Sequence, residues 1–208
     1  MVLQIVVGST TLLAWASSYL IDFRPESRPS IQPRSMAFAI WIVIFPLILF
    51  SSFFASTPRF PNNSSILISS SMITTILWAF ASRYKYYTVA FILLVLISGQ
   101  AWIAHILLPV SNDVFDIMIH FGTGLFAGWT GIASIINLAI AYQYFNNSRT
   151  LFLVNIMGIL SLYFQRPVPM MAILWGLVFS DTENIYVVSN IILSCIWLLA
   201  SFLWCGSL

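Results

Sequence analysis

Asp113–Tyr144 reads DVFDIMIHFGTGLFAGWTGIASIINLAIAYQY, and the fold turns on how this stretch is read. It is long enough to cross a bilayer, which takes about 20 residues of helix, yet it carries a row of small and polar residues. His120, Thr123, Ala127, Thr130, Ser134 and Asn137 follow one another at intervals of 3, 4, 3, 4 and 3 residues. At about 3.6 residues per turn, that spacing predicts a single helix face. Gly124 and Gly128 stand beside it at small-xxx-small spacing, which lets a neighbouring backbone approach closely. Turned toward lipid, such a face would give up hydrogen bonds to water and gain nothing. The helix therefore belongs inside a bundle. Its polar face is either a packing seam between helices or one wall of a ligand cavity, and the stripe alone leaves both open.

The rest of the composition agrees with a membrane interior. Of 208 residues, 60% are hydrophobic and 7% charged, with a mean hydropathy of +0.96, whereas a soluble domain has about 25% charged residues. The apolar runs lack the two-residue alternation of barrel strands, so the expected class is all-α, a polytopic transmembrane helix bundle. The net charge of +2 comes from single, scattered basic residues, which form no patch for nucleic acid. Cys195 and Cys205 both fall in the last apolar segment and read as packing residues, not as a disulfide or metal pair.

Working outward, Val2–Ile21 reads as a first span retained in the protein. Residues 22–35 form the longest polar connection, with three prolines and three arginines. Further spans are expected at Met36–Ala55, Ser64–Ala81 and Thr88–Leu108 before the stretch at Asp113–Tyr144. Leu151–Phe164 and Met170–Ser180 are each short for a crossing, with a break expected around Arg166 because an arginine at mid-membrane is costly. Ile185–Trp204 is the last clear span, for seven or eight in all. One set of loops holds Arg24, Arg28, Arg34, Arg83, Lys85 and Arg149, the other Arg59 and, with eight spans, Arg166. That bias places loop 22–35 on the cytoplasmic or equivalent side. Asn62 heads an N-x-S acceptor triplet in a loop expected on the opposite side.

Catalytic chemistry finds few candidates. The acids Asp22, Glu26, Asp113, Asp116, Asp181 and Glu183 all fall at span ends, and Asp116 with His120 one turn on is the nearest approach to an acid–base pair. There is no phosphate-binding glycine loop and no metal-ligand cluster in the sequence. The expectation is that the chain is not an enzyme. His105 and His120 each have the chemistry of an axial haem or chlorophyll ligand, although a membrane histidine more often makes a simple polar contact.

Several motifs resemble one family. Pro33-Arg34-Ser35-Met36-Ala37-Phe38-Ala39-Ile40-Trp41 resembles the Pro-x4-Phe-x2-Trp signature that opens the second helix of the TspO/MBR family, the tryptophan-rich sensory and translocator proteins. Gly128-Trp129 followed by Asn137 is similar to that family's fifth-helix pattern, Trp78 to its third-helix tryptophan, and Trp175 to a motif of long members with extra C-terminal helices. The motifs cover about Val2–Tyr144 well and the tail weakly. Departures include Phe126 and Gly122, where longer members have tyrosine and proline.

The resemblance implies a five-helix core over residues 1–145, extended by two or three membrane helices over 146–208. It further implies an aromatic-lined cavity that binds a tetrapyrrole, sterol or other apolar molecule. Trp41 and Trp129 would form its walls with Phe38 and Phe126 beside them, and Gln100, His120 and Asn137 would be polar anchors. Arg24, Arg28 and Arg34 would pair with propionates or lipid head groups. The plainer reading makes the tryptophans interface anchors and Asn137 an interhelical contact. Three roles follow: a binding or transport protein for an apolar ligand such as porphyrin, a structural or assembly subunit of a homodimer or larger membrane complex, and a small channel. No buried charge is placed to select ions, which puts the channel last. No metal site and no nucleic-acid partner are expected.

Overall fold

The computed structural model describes residues 2–18, 35–54, 61–109, 113–142, 147–180 and 185–206. Residues 22–34, on which the sidedness argument rests, and the basic residues there lie outside them. Among the described residues there are eight α-helices and one 3-10 segment: α1 (Val2–Ser18), η1 (Ser35–Ile40), α2 (Trp41–Phe54), α3 (Asn62–Arg83), α4 (Tyr87–Leu107), α5 (Val114–Ala141), α6 (Asn147–Tyr163), α7 (Val168–Val178) and α8 (Ile185–Gly206). The chain is an all-α bundle. Five helical stretches are long and apolar enough to cross a membrane: Ala37–Phe54, Asn62–Arg83, Tyr87–Leu107, Val114–Ala141 and Ile185–Trp204. The apolar parts of α1, α6 and α7 are shorter.

Local chemistry sets several of the boundaries. Asp113 caps α5, its side chain accepting from Phe115 N at 3.0 Å, which satisfies one of the donors a helix start leaves open. Two helices end in the same way without glycine. After α3, Lys85 takes φ 61°, while Tyr86 N donates to Ala81 O and Lys85 N to Ser82 O. After α6, Gln165 takes φ 55°, while Arg166 N donates to Ser161 O and Gln165 N to Leu162 O. Both are Schellman ends, and each places a side-chain-bearing residue in the left-handed region at a cost of roughly 1–2 kcal/mol. The second end, followed by Pro167, produces the expected break between α6 and α7 and fixes where Arg166 emerges. Asn62 opens α3 instead of lying in a loop, and Ser64 of its acceptor triplet is buried.

The helices close a ring. α1 packs on α2, α2 on α5, α5 on α4, α4 on α3, and α3 returns to α1. α7 flanks the ring along α5 and also reaches η1, while α8 packs on α7 and α6. This gives α5 the centre and α8 the rim: 83% of the most apolar 18-residue stretch of α5 is buried, against 22% for α8. Leu199, Leu203 and Phe202 of α8, and Phe152 and Ile159 of α6, face outward as lipid-facing residues should. The polar stripe of α5 is thus internal, as its spacing predicted.

Candidate functional site

Aromatic rings concentrate where η1, α2 and α5 meet. Trp41 stacks on Phe45 one turn later, with centroids 4.8 Å apart and planes at 15°. It meets Trp129 edge-to-face at 6.2 Å and Phe126 at 5.9 Å. Phe38 lies edge-to-face on Trp129 at 5.6 Å, and Trp15 of α1 stacks on Phe45 at 6.3 Å. These are the offset and perpendicular geometries that the ring quadrupole favours. Phe126 is fully buried and Trp129 is 2% exposed. The tail closes over the group: Trp175 Nε1 of α7 donates to Ala37 O at 2.9 Å, and Gly176 lies against Trp129 and Ile132. Of the buried indoles, Trp41 keeps an Nε1 donor with no acceptor, as do Trp78 and Trp102.

The structure therefore brings Phe38, Trp41, Phe126 and Trp129 together, and places the expected polar anchors elsewhere. Gln100 Nε2 donates to Ser70 Oγ of α3 at 3.1 Å, linking α4 to α3. Asn137 lies about 12 Å along α5 from Trp129, eight residues at 1.5 Å each, and its Nδ2 donates to Ala133 O. His120 meets His105 of α4, with ring centroids 4.3 Å apart. The stripe's hydroxyls bond to their own helix: Thr123 to Ile119 O at 2.6 Å, Thr130 to Phe126 O at 2.8 Å and Ser134 to Gly131 O at 2.7 Å. Ser98 of α4 reaches across, to Ala127 O at 3.5 Å. These contacts favour the packing seam over the cavity wall.

The glycines beside the stripe explain how α7 docks. A Cβ at Gly128 would fall 1.9 Å from Pro169 O, and one at Gly124 would fall 2.8 Å from both His105 Cε1 and Val168 Cβ. Main chain thus lies directly on main chain where α7 begins.

The family model for TSPO-like proteins matches residues 22–204. The chain belongs to the TSPO-like family. No curated protein and no solved structure matches it. The match runs through α6, α7 and α8, so the tail that the motifs covered only weakly is part of what makes this chain TSPO-like. It is an integral, multi-pass membrane protein.

Two groups in this TSPO-like bundle escaped the reading of the sequence. Phe45 was legible in principle, being one turn from Trp41 on the same face. The contact between His105 and His120 was also within reach. Both stand near the closed end of the α4–α5 hairpin, and antiparallel neighbours bring such positions together. Cys195 is half-buried and free, consistent with a packing role.

Proposed function

We propose that this TSPO-like protein binds a flat, apolar molecule of the tetrapyrrole or sterol class, without catalysis, at the aromatic group of Phe38, Trp41, Phe126 and Trp129. The observation that carries the reading is the convergence of four rings, Phe38 of η1 on Trp129 and Trp41 of α2 on Phe126 and Trp129 of α5, with the Trp41 indole N–H buried without an acceptor. A planar ligand inserted there gains ring stacking in a low-dielectric setting, and an oxygen or nitrogen on it would satisfy that donor. The rings now pack on one another, so binding requires η1 and α2 to part from α5. The basic loop 22–35 belongs on the cytoplasmic or equivalent side by its charge.

Quenching of tryptophan fluorescence by protoporphyrin IX, with haem and cholesterol as competitors, tests the reading on purified protein. Saturable quenching is expected, weakened about tenfold in Trp129→Ala, which matches the roughly 1.4 kcal/mol that one aromatic contact supplies. Folded protein that shows no quenching, or equal affinity in the variant, removes the proposal. A second reading makes the chain a structural subunit of a homodimer or larger membrane complex. What favours it is the self-contained bonding of the α5 stripe, in which the hydroxyls spend themselves on their own helix.

A further inference from the structure

A second polar concentration lies where the end of α4, the first turns of α5 and the α6–α7 turn meet. His105 and His120 touch there with their planes at 61°. His105 is fully buried, and neither its Nδ1 nor its Nε2 has a hydrogen-bond partner; Nε2 of His120 is buried and equally unmatched. The main chain of His120 comes near the His105 ring, but without hydrogen-bond geometry. Buried polar groups are nearly always satisfied, so three open imidazole nitrogens in one contact mark a place for a polar group that the protein itself does not supply.

Two charged side chains stand here: Asp116, 4% exposed and one turn before His120 on α5, and Arg166, and it is the charge of Arg166 that reaches both rings. Its Nη2 donates to Ile106 O and Leu108 O, both at 3.2 Å, which pins the guanidinium at the end of α4. From there its positive charge acts on both imidazoles. The Schellman end of α6 and Pro167 hold the residue in place from behind. A metal cation would be repelled by the guanidinium, and among the described residues no third His, Cys, Asp or Glu joins the pair in a metal-holding group. An oxyanion is attracted instead, since imidazole N–H and guanidinium N–H are both donors suited to carboxylate and phosphate oxygens. Gly124 leaves the room that the His105 ring occupies, because a Cβ there would fall 2.8 Å from Cε1. His120 retains partial exposure, which gives an approach. The end of a spanning helix is also the depth at which anionic head groups lie.

We propose that the His105–His120–Arg166 junction binds an oxyanion, the carboxylate or phosphate of a free anion or of an amphiphile's head. The site stands apart from the aromatic group and does not depend on that reading.

The chain has only two histidines, so ring resonances from 15N-histidine-labelled, full-length protein report on this junction alone. In phosphate-free micelles at fixed pH and ionic strength, titration with orthophosphate or acetate is expected to shift both rings saturably. The parallel arm compares nanodiscs of phosphatidylcholine with and without phosphatidic acid. Response to the free anions identifies a soluble ligand, and response to phosphatidic acid alone identifies a lipid head; both support the site. Arg166→Gln is expected to weaken the response at least tenfold, with Arg166→Lys in between. Silence toward all three probes, a response to zinc ion alone, or undiminished affinity in a folded Arg166→Gln protein overturns the proposal. The wild-type titration decides even if that variant fails to fold.

Discussion

A methyl group added at Gly128 would have to displace main chain, because its nearest neighbours are the carbonyl and Cα of Pro169. No rotamer relieves that clash, so Gly128→Ala should lift the start of α7 from α5 and cost about 2–3 kcal/mol, the upper range for overpacking. Gly99 is the internal control. It lies on the lipid-facing side of α4 with nothing within 4 Å of its Cβ position, so Gly99→Ala should leave stability unchanged or raise it by up to about 1 kcal/mol. Thermal unfolding in one detergent compares the two, and equal effects would mean that the contact at Gly128 is not tight. The sequence marked Gly124 and Gly128 as points of close approach, since only small residues permit it. It did not say what approaches, because the partner helix lies beyond a turn and a whole further helix.

For α5 as an element, hydroxyl bookkeeping separates a seam from a binding wall. Thr130 bonds to Phe126 O within its own helix and is buried. Replacing it by valine removes the hydroxyl together with a bond the carbonyl does not depend on, since that carbonyl already has its place in the helix ladder. Thr130→Val should therefore change stability by less than about 1 kcal/mol and leave porphyrin quenching where it was. A strong loss of quenching would put the stripe back in a ligand's path. Helix periodicity made this face legible, since a 3.6-residue repeat survives any context. The 3-10 turn of Ser35–Ile40 was not legible within the expected span Met36–Ala55, because its residues are as apolar as the helix they lead into. The α6–α7 break could be read, because an arginine and two prolines cannot continue a buried helix.

Across the whole molecule, hydropathy gave the class and a helix at each expected span, five of them long enough to cross among the described residues, while the order of helices around the ring depended on side-chain fit that no single segment carries. The tail shows the difference most clearly. The extension that follows residues 1–145 supplies α7, which packs on Gly124, Gly128 and Ile132 of α5 and holds η1 through Trp175. A chain ending at residue 145 should then lose cooperative unfolding or melt more than about 10 °C lower, several kcal/mol of packing at roughly 2–4 °C each. A truncated chain with an unchanged transition would show that the ring stands alone. The same dependence has a consequence for biogenesis. During synthesis α5 leaves the ribosome ahead of Val168–Val178, so for that interval its groove of glycines and inward-turned polar groups meets lipid, or whatever escorts the nascent chain. The bundle's most buried helix thus reaches the bilayer ahead of one of its covers, and the time that α6 and α7 take to emerge sets how long it must wait.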